Sequence, residues 1–239
     1  MKCPIALSSN PARSRFSNFH SYFPYTCTAF LVIFQFVMSK FKNLKIGVLA
    51  LQGDFERHQH QLYILGADVT LVRLPVDLER IDGIILPGGE STTMDKLIDR
   101  FDLRTPLTDF CRNHPVWGTC AGMIMLAKSI EDNQSEVTPL GLMDIDVVRM
   151  GYGRQVFSFE ETFSANLGAK TVSLKGSFIR APRITRQGPS VKTLAEYHQA
   201  SILVTEENIL ASSFHTELDN NTTLLRYFLE NFFSTRFKN

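Results

Sequence analysis

The chain has 239 residues, which suits one α/β domain with a sizeable core and argues against a second enzymatic domain. Its 25 Lys and Arg residues against 24 Asp and Glu residues give a formal net charge of +1, so no global field attracts nucleic acid or anionic lipid. The four cysteines form neither a CxxC pair nor a metal-ligand spacing, so neither a disulfide framework nor a metal site is expected. These features favour a cytoplasmic protein with a small-molecule or protein partner.

Residues 1–40 form an N-terminal extension for which two interpretations stand. Basic residues near the start precede an aromatic, uncharged stretch, a pattern with some similarity to a targeting signal. The most continuous apolar run, from Ala29 to Val37, is too short to span a bilayer, and no convincing cleavage site follows it. We favour a translation start at Met38 or a disordered appendage, with targeting as the alternative. The sequence predicts no membrane partner.

From Lys45 onward, short aliphatic runs alternate with amphipathic stretches, which predicts βαβ units and a mainly parallel sheet. Strands are predicted over residues 46–51, 69–74, 83–86 and 115–119. Helices are predicted over residues 55–65, 91–101, 105–113 and 121–129. Ser91 is expected to cap its helix, and Pro106 falls in a first turn, where proline is tolerated.

Beyond Glu131 the pattern changes to short β-like runs. They cover residues 145–148, 172–179, 191–197, 201–204 and 209–213. We interpret them as an antiparallel extension of the sheet, because they lack intervening helical patterns. A last helix is predicted over about residues 221–233, where apolar residues recur at helical spacing.

Three loops with chemically active residues follow predicted strands, over residues 87–93, 118–122 and 214–217. Ligands of open parallel sheets bind beyond the carboxyl ends of the strands. We therefore expect the three loops to converge on one site.

Cys120 lies in the second loop, in Gly118-Thr-Cys-Ala-Gly122. Gly-x-Cys-x-Gly has the form of a nucleophile elbow, a tight strand-to-helix turn that projects one side chain while small neighbours prevent a clash. The N-terminus of the following helix favours a thiolate through its dipole and free N–H groups. A small structural cysteine in a glycine-rich turn is the alternative.

His215 and Glu217 lie two residues apart, so in an extended segment both side chains point to the same face. His215 can then deprotonate Cys120, while Glu217 orients the imidazole. A lone His-x-Glu pair also occurs by chance on surfaces, and its weight here comes from the elbow cysteine in the same chain. Attack on a carboxamide builds an oxyanion, for which the N–H groups of Ala121 and Gly89 are the candidate donors. Gly88-Gly89 can alternatively be only a turn before a capped helix.

Several sequence blocks together resemble a known family. They are Leu51-Gln-Gly53, Leu86-Pro-Gly-Gly-Glu-Ser-Thr-Thr-Met94, Gly118-Thr-Cys-Ala-Gly122, Gly153-Arg-Gln155, Phe178-Ile-Arg-Ala-Pro182 and Ser213-Phe-His-Thr-Glu217. In this order they resemble class I, triad-type glutamine amidotransferases, and more narrowly the glutaminase subunits of the two-protein pyridoxal 5′-phosphate synthase. The resemblance covers about residues 44–235 and implies a flavodoxin-like α/β fold, with a mainly parallel central sheet flanked by helices.

The resemblance implies hydrolysis of L-glutamine to L-glutamate and ammonia through a thioester on Cys120, with His215 as general base and Glu217 as its orienting partner. Ammonia would pass to a synthase (lyase) subunit that makes pyridoxal 5′-phosphate as its product, so no cofactor is expected in this chain. The residues implied to bind glutamine are Gly89, Glu90, Ser91, Arg149, Ile179 and Arg180. An arginine suits the α-carboxylate of the substrate, and an acidic group suits its α-ammonium.

The chain departs from the family pattern at three places. Thr216 stands where the family usually has proline, which removes a fixed φ angle but keeps the flanking side chains on one face. Met150-Gly-Tyr152 differs from the commoner polar-aromatic pair, and the first 40 or so residues have no family counterpart. Two other functions remain open: a cysteine hydrolase or peptidase of a related elbow fold, and a noncatalytic regulatory subunit.

Overall fold

A computed structural model describes residues 40–131, 137–151, 158–219 and 221–234 of the chain. The predicted N-terminal extension lies outside these residues apart from Lys40, and the Gly153-Arg-Gln155 block lies outside them entirely. The division into an extension and a domain over residues 44–235 therefore stays a prediction.

Strands and helices alternate in the first half of the chain, and strands dominate the second half. The described strands are β1 (Lys45–Leu49), β2 (Asp68–Val72), β3 (Gly83–Leu86), β4 (Val116–Thr119), β5 (Ala127–Ile130), β6 (Met143–Val148), β7 (Ser158–Leu167), β8 (Lys170–Ile179), β9 (Arg183–Gln187), β10 (Lys192–Tyr197), β11 (Ala200–Glu206) and β12 (Ile209–Ser212). The described α-helices are α1 (Phe55–Leu65), α2 (Ser91–Arg100), α3 (Arg104–Asn113), α4 (Ala121–Leu126) and α5 (Thr223–Phe232). A 3₁₀ helix covers Pro75–Arg80.

The central sheet contains nine of the described strands, in the order β2-β1-β3-β4-β12-β11-β10-β7-β8. The first five of that order are parallel to one another. The other four continue the sheet with antiparallel pairing. This arrangement confirms the predicted α/β fold with a parallel core and an antiparallel extension.

Both faces of the parallel half are covered, which is why its strands are almost continuously apolar. Ile84 and Leu86 of β3 belong to one buried cluster, and Ile85 between them belongs to the other. The first cluster includes residues of α2, α3 and α4, and the second includes residues of α1 and α5. The sheet is thus a rigid layer between two helical layers, and it fixes the loops at its carboxyl edge.

The region after α4 differs from the sequence prediction. The helix predicted over residues 121–129 ends at Leu126, and Ala127–Ile130 is a strand that pairs in parallel with β6. Ala127 has an extended ψ of 154°, because sheet pairing outweighs a weak local helix preference there. With β9, these strands form a separate three-stranded sheet, so the run at residues 145–148 does not extend the central sheet as predicted.

Other predicted runs also need correction. The run at residues 209–213 is strand β12, which is parallel to β4 and belongs to the parallel half. The strands Ser158–Leu167 and Arg183–Gln187 were not predicted, because they carry many polar residues and show little apolar continuity. Among the described helices, none is long and apolar enough to cross a membrane.

Candidate active site

The three chemistry-bearing loops follow β3, β4 and β12, which are neighbours in the central sheet. Parallel strands end at the same edge, so the sheet order brings the loops together as expected. The proximity of the second and third loops is not evident from the sequence, because β12 follows β4 by some 90 residues in the chain. In the sheet the two strands pair directly.

Cys120 occupies the turn between β4 and α4, with φ 49° and ψ −102°. A positive φ is costly for a residue with a side chain and is found where the surroundings impose it. The Cys120 backbone N–H donates to the Ser212 carbonyl at 2.8 Å, which ties the turn to β12. A Cβ on Gly122 would lie 2.1 Å from the Leu86 carbonyl oxygen, and one on Gly118 would lie 2.5 Å from Leu126. The small residues are therefore required by packing.

His215 and Glu217 follow β12 and are both buried. Nδ1 of His215 lies 2.6 Å from Oε1 of Glu217, and the imidazole is close enough to Cys120 for that thiol to affect the pKa of His215. The His215 backbone exchanges two hydrogen bonds with Ser177 of β8, at 2.9 and 3.0 Å. The structure thus brings Cys120, His215 and Glu217 together in one buried group.

The electrostatics of this group favour a charged pair. Burial alone lowers the pKa of His215, but its bonds to Cys120 and Glu217 outweigh burial and raise that pKa well above the ordinary value. Burial alone raises the pKa of Glu217, but electrostatic attraction to the neighbouring His58 ring and the His215 hydrogen bond lower it overall. An ionised Glu217 beside a protonated His215 is therefore the stable state.

The Gly88-Gly89 loop packs directly against this group. A Cβ on Gly88 would lie 2.2 Å from Cε1 of His215, so only glycine leaves room for the ring. Gly89 has φ 138° and faces Gln52, whose Oε1 accepts from the Glu90 N–H at 2.9 Å. Gln52 belongs to the Leu51-Gln-Gly53 block, whose sequence alone indicates no role for this side chain. In the structure its side chain braces the loop that carries a predicted oxyanion donor.

Glu90 has a local structural task that corrects one prediction. Its carboxylate accepts from the N–H groups of Thr92 and Thr93 at 3.1 and 2.6 Å, so Glu90 is the N-cap of α2 and Ser91 is the first helical residue. Burial tends to raise the pKa of Glu90, but the hydrogen bonds from Thr93 and Thr92 lower it overall. The carboxylate is therefore held ionised at the cavity wall.

A cavity of about 150 Å³ opens at Cys120. It is lined by Gly89, Glu90, Ser91, Cys120, Ile124, Arg149, Met150, Ile179 and Arg180. All six residues predicted to bind glutamine are in this set. Ala121 is buried beside it as the first residue of α4, where a backbone N–H has no partner within the helix.

Two of the lining residues come from the β8 end. The Ile179 carbonyl lies 3.8 Å from Sγ of Cys120, and Arg180 has φ 47°. Arg149 reaches the cavity from the end of β6, with Nη1 3.5 Å from Oγ1 of Thr92. Sequence spacing alone gave these two arginines no role, and the family resemblance singled them out.

Among the described residues, no group of three or more His, Cys, Asp or Glu side chains could hold a metal ion.

Comparison with known proteins identifies the family. The model of the SNO glutamine amidotransferase family matches residues 48–234. The chain belongs to this family. The resemblance seen in the sequence motifs is therefore confirmed.

The similarity to curated relatives extends over nearly the whole length of each relative. The chain is 47% identical over 188 residues to "Pyridoxal 5'-phosphate synthase subunit PdxT" of Thermotoga sp. (strain RQ2), which covers 78% of this chain and 98% of the relative. It is 48% identical over 187 residues to the protein of that name in Desulforamulus reducens, with 77% of this chain and 97% of the relative covered. The family match over residues 48–234 contains all three loops.

Solved structures of glutamine amidotransferases are similar to this chain. A structure titled "Crystal structure of glutamine amidotransferase" has 42% sequence identity and a TM-score of 0.72, and covers 77% of this chain and 97% of its own. The structure of a glutamine amidotransferase from Thermotoga maritima has 12% identity and a TM-score of 0.54, over 80% of this chain and 83% of its own. The second likeness shows the shared fold alone.

Proposed function

We propose that this chain is a glutaminase, which hydrolyses L-glutamine to L-glutamate and ammonia through a thioester on Cys120. The observation that carries the proposal is the connected group of Cys120, His215 and Glu217 at the end of a cavity with two arginines. Burial of the group excludes bulk water and strengthens each of its polar interactions.

In the first half of the reaction, Sγ of Cys120 attacks the side-chain carboxamide carbon of glutamine. The carbonyl oxygen becomes an oxyanion, for which the N–H groups of Ala121 and Gly89 are the proposed donors. The imidazolium of His215 then gives its proton to the amide nitrogen as the C–N bond breaks. Ammonia leaves, and a γ-glutamyl thioester remains on Cys120.

In the second half, water attacks the thioester while His215 takes its proton. The C–S bond breaks, glutamate forms, and the sulfur of Cys120 is released beside His215, which now carries the proton from water. Glu217 stays ionised throughout and holds the proton of His215 on Nδ1, which leaves Nε2 for transfer. Every step uses groups of this chain and water, so the proposed reaction requires no cofactor and no metal.

Substrate recognition is proposed at the cavity wall. Arg149 or Arg180 would pair with the α-carboxylate of glutamine, and the ionised Glu90 would attract its α-ammonium. Gly89, Ser91 and Ile179 would contribute backbone and shape contacts along the substrate. A cavity walled by both signs of charge suits a zwitterionic amino acid better than a peptide, whose backbone lacks those charges.

The ammonia is proposed to pass to a pyridoxal 5′-phosphate synthase (lyase) partner subunit. Curated relatives that cover nearly all of the domain are named as subunits of that synthase. Pyridoxal 5′-phosphate is then a product of the complex, and the cytoplasm is its proposed location.

The test is glutamate release from L-glutamine by this chain, with and without the synthase subunit. Cys120→Ala should lower the rate by at least about 1000-fold, because the nucleophile is lost. Cys111→Ala is the matched control, since Cys111 is a buried thiol of α3 outside the site, and it should stay within about 2-fold of the unchanged chain. Undiminished hydrolysis by Cys120→Ala would overturn the proposal, as would turnover of peptides but not of glutamine.

A further inference from the structure

His58 is a buried titratable residue that the proposed chemistry leaves without a task. It lies on α1 with its side chain fully buried, on the face that also buries Gln61 and Leu62. A histidine on the inner face of an amphipathic helix does not indicate a function from sequence alone. It is only one polar residue among the apolar positions that the helix buries. Its role emerges only from what the helix packs against.

The ring of His58 makes its polar contacts through one nitrogen. Nε2 lies 3.4 Å from Oγ1 of Thr119 and 3.5 Å from Oε1 of Glu217, while the ring edge meets Trp117 at a centroid distance of 5.5 Å. Nδ1 has no hydrogen-bond partner among the described residues. Since a buried N–H without an acceptor is costly, a proton on Nε2 fits these surroundings better than a proton on Nδ1.

Glu217 needs such a donor. Its side chain is fully buried, Oε1 faces both His215 and His58, and Oε2 has no hydrogen-bond partner within the described part of the chain, so both histidines act on this carboxylate through one oxygen. A buried carboxylate with too few donors tends to take up a proton or to rotate. At 3.5 Å, the His58 N–H acts on Glu217 mainly through electrostatic attraction, since this distance exceeds that of an ordinary hydrogen bond.

We propose that His58 is a positioning residue for the glutaminase, whose Nε2–H keeps Glu217 ionised and aligned on Nδ1 of His215. The proposal rests on the proposed function and adds a residue that touches neither the substrate nor Cys120. His58 also contacts Thr119, the residue before the nucleophile, so one imidazole joins the acid and the elbow. Gln61, one turn along α1, donates to the carbonyls of Thr216 and Asp219 at 3.2 and 3.0 Å and holds the same loop by its backbone.

Two amide substitutions separate positioning from mere packing. The side-chain nitrogen of His58→Gln reaches the place of Nε2, whereas that of His58→Asn stops near the place of Nδ1. With the synthase subunit present, kcat for glutamine should fall about 10- to 100-fold in His58→Asn and stay within about 3-fold in His58→Gln. KM should change by less than about 2-fold in both, because His58 does not line the cavity.

A pH profile supplies a measurement that packing alone would not move. In His58→Asn, Glu217 takes up a proton more readily, so the acid limb of kcat should shift to higher pH. Alkylation of Cys120 by iodoacetamide should show the same shift without any turnover. If the unchanged chain hydrolyses no glutamine, the proposed function fails, while the alkylation profile still tests His58.

Equal losses of kcat in the Gln and Asn variants would overturn the proposal, and so would unchanged kcat and an unchanged acid limb in His58→Asn. Thermal unfolding of each variant is compared with that of Cys111→Ala, a destabilised chain that should keep its activity. If His58→Asn does not fold, the apolar His58→Leu takes its place against His58→Gln, with the same expected difference.

Discussion

The surroundings of Cys111 and Cys120 differ although both thiols are buried and neither forms a disulfide among the described residues. Cys111 lies on α3 within the apolar cluster of the α2–α4 face, and burial raises the pKa of its thiol. Cys120 lies at a strained turn, opens onto the cavity and interacts with the imidazole of His215. Burial alone therefore does not decide the chemistry of a thiol. The polar groups that lie next to the thiol in the fold determine its reactivity.

The two cysteines also differ in backbone strain. Cys111 has ordinary helical surroundings, whereas Cys120 has φ 49° and is enclosed by two glycines that tolerate no Cβ. Such a turn costs on the order of 1–3 kcal/mol, which the surrounding core must offset. The pairing of β4 with both β3 and β12 provides that rigid support.

The largest expected effect is a difference in thiol reactivity. Cys120 should react with iodoacetamide at least about 1000-fold faster than Cys111 near neutral pH, because Cys120 opens onto a cavity beside His215, whereas Cys111 is enclosed in an apolar cluster. Mass spectrometry of alkylated peptides over time measures both rates in one sample. Similar rates for the two thiols would break the comparison and would favour a noncatalytic subunit.

The second effect is a difference in how the free energy of unfolding depends on pH, between substitution at Glu217 and substitution at Cys111. Glu217 has a pKa below its ordinary value of 4.5, so its stabilising contribution is present above that value and is lost as the pH falls below it. Glu217→Gln should therefore lower the free energy of unfolding by about 2 kcal/mol near neutral pH, and the difference should shrink below about pH 4.5.

Cys111→Ala is the control for this measurement. Its cost, about 1 kcal/mol, should not vary over the same acid range, because no titratable partner faces the thiol in its apolar cluster of described residues. Denaturant unfolding at several pH values measures both differences. A pH-independent difference for Glu217→Gln would contradict the assignment of a buried ionised carboxylate.

The smallest effect concerns Thr216, between the base and its orienting acid. Its Oγ1 is buried without a hydrogen-bond partner among the described residues. Thr216→Val keeps the shape and removes the hydroxyl, so it should raise the free energy of unfolding by about 1 kcal/mol and leave glutamine hydrolysis within about 2-fold. A loss of stability in this variant would show that the hydroxyl does form a bond in solution.

The sequence by itself determined the parallel βαβ half and the position of the elbow. Long apolar runs, glycines at a strand-to-helix turn and helical spacing are local signals, and each can be read within about a dozen residues. The family motifs also selected the cavity residues, including Arg149 and Arg180. All of those predicted residues line one cavity.

Only the tertiary structure decided how distant segments meet. The strand Ala127–Ile130 formed where local signals favoured helix, because β6 offered pairing in a second sheet. Glu90 capped α2 in place of Ser91, because its longer side chain reaches two backbone N–H groups. His58 and Gln52 gained their contacts from packing against loops far along the chain. Local patterns cannot encode such contacts, since they depend on the order of strands in the sheet.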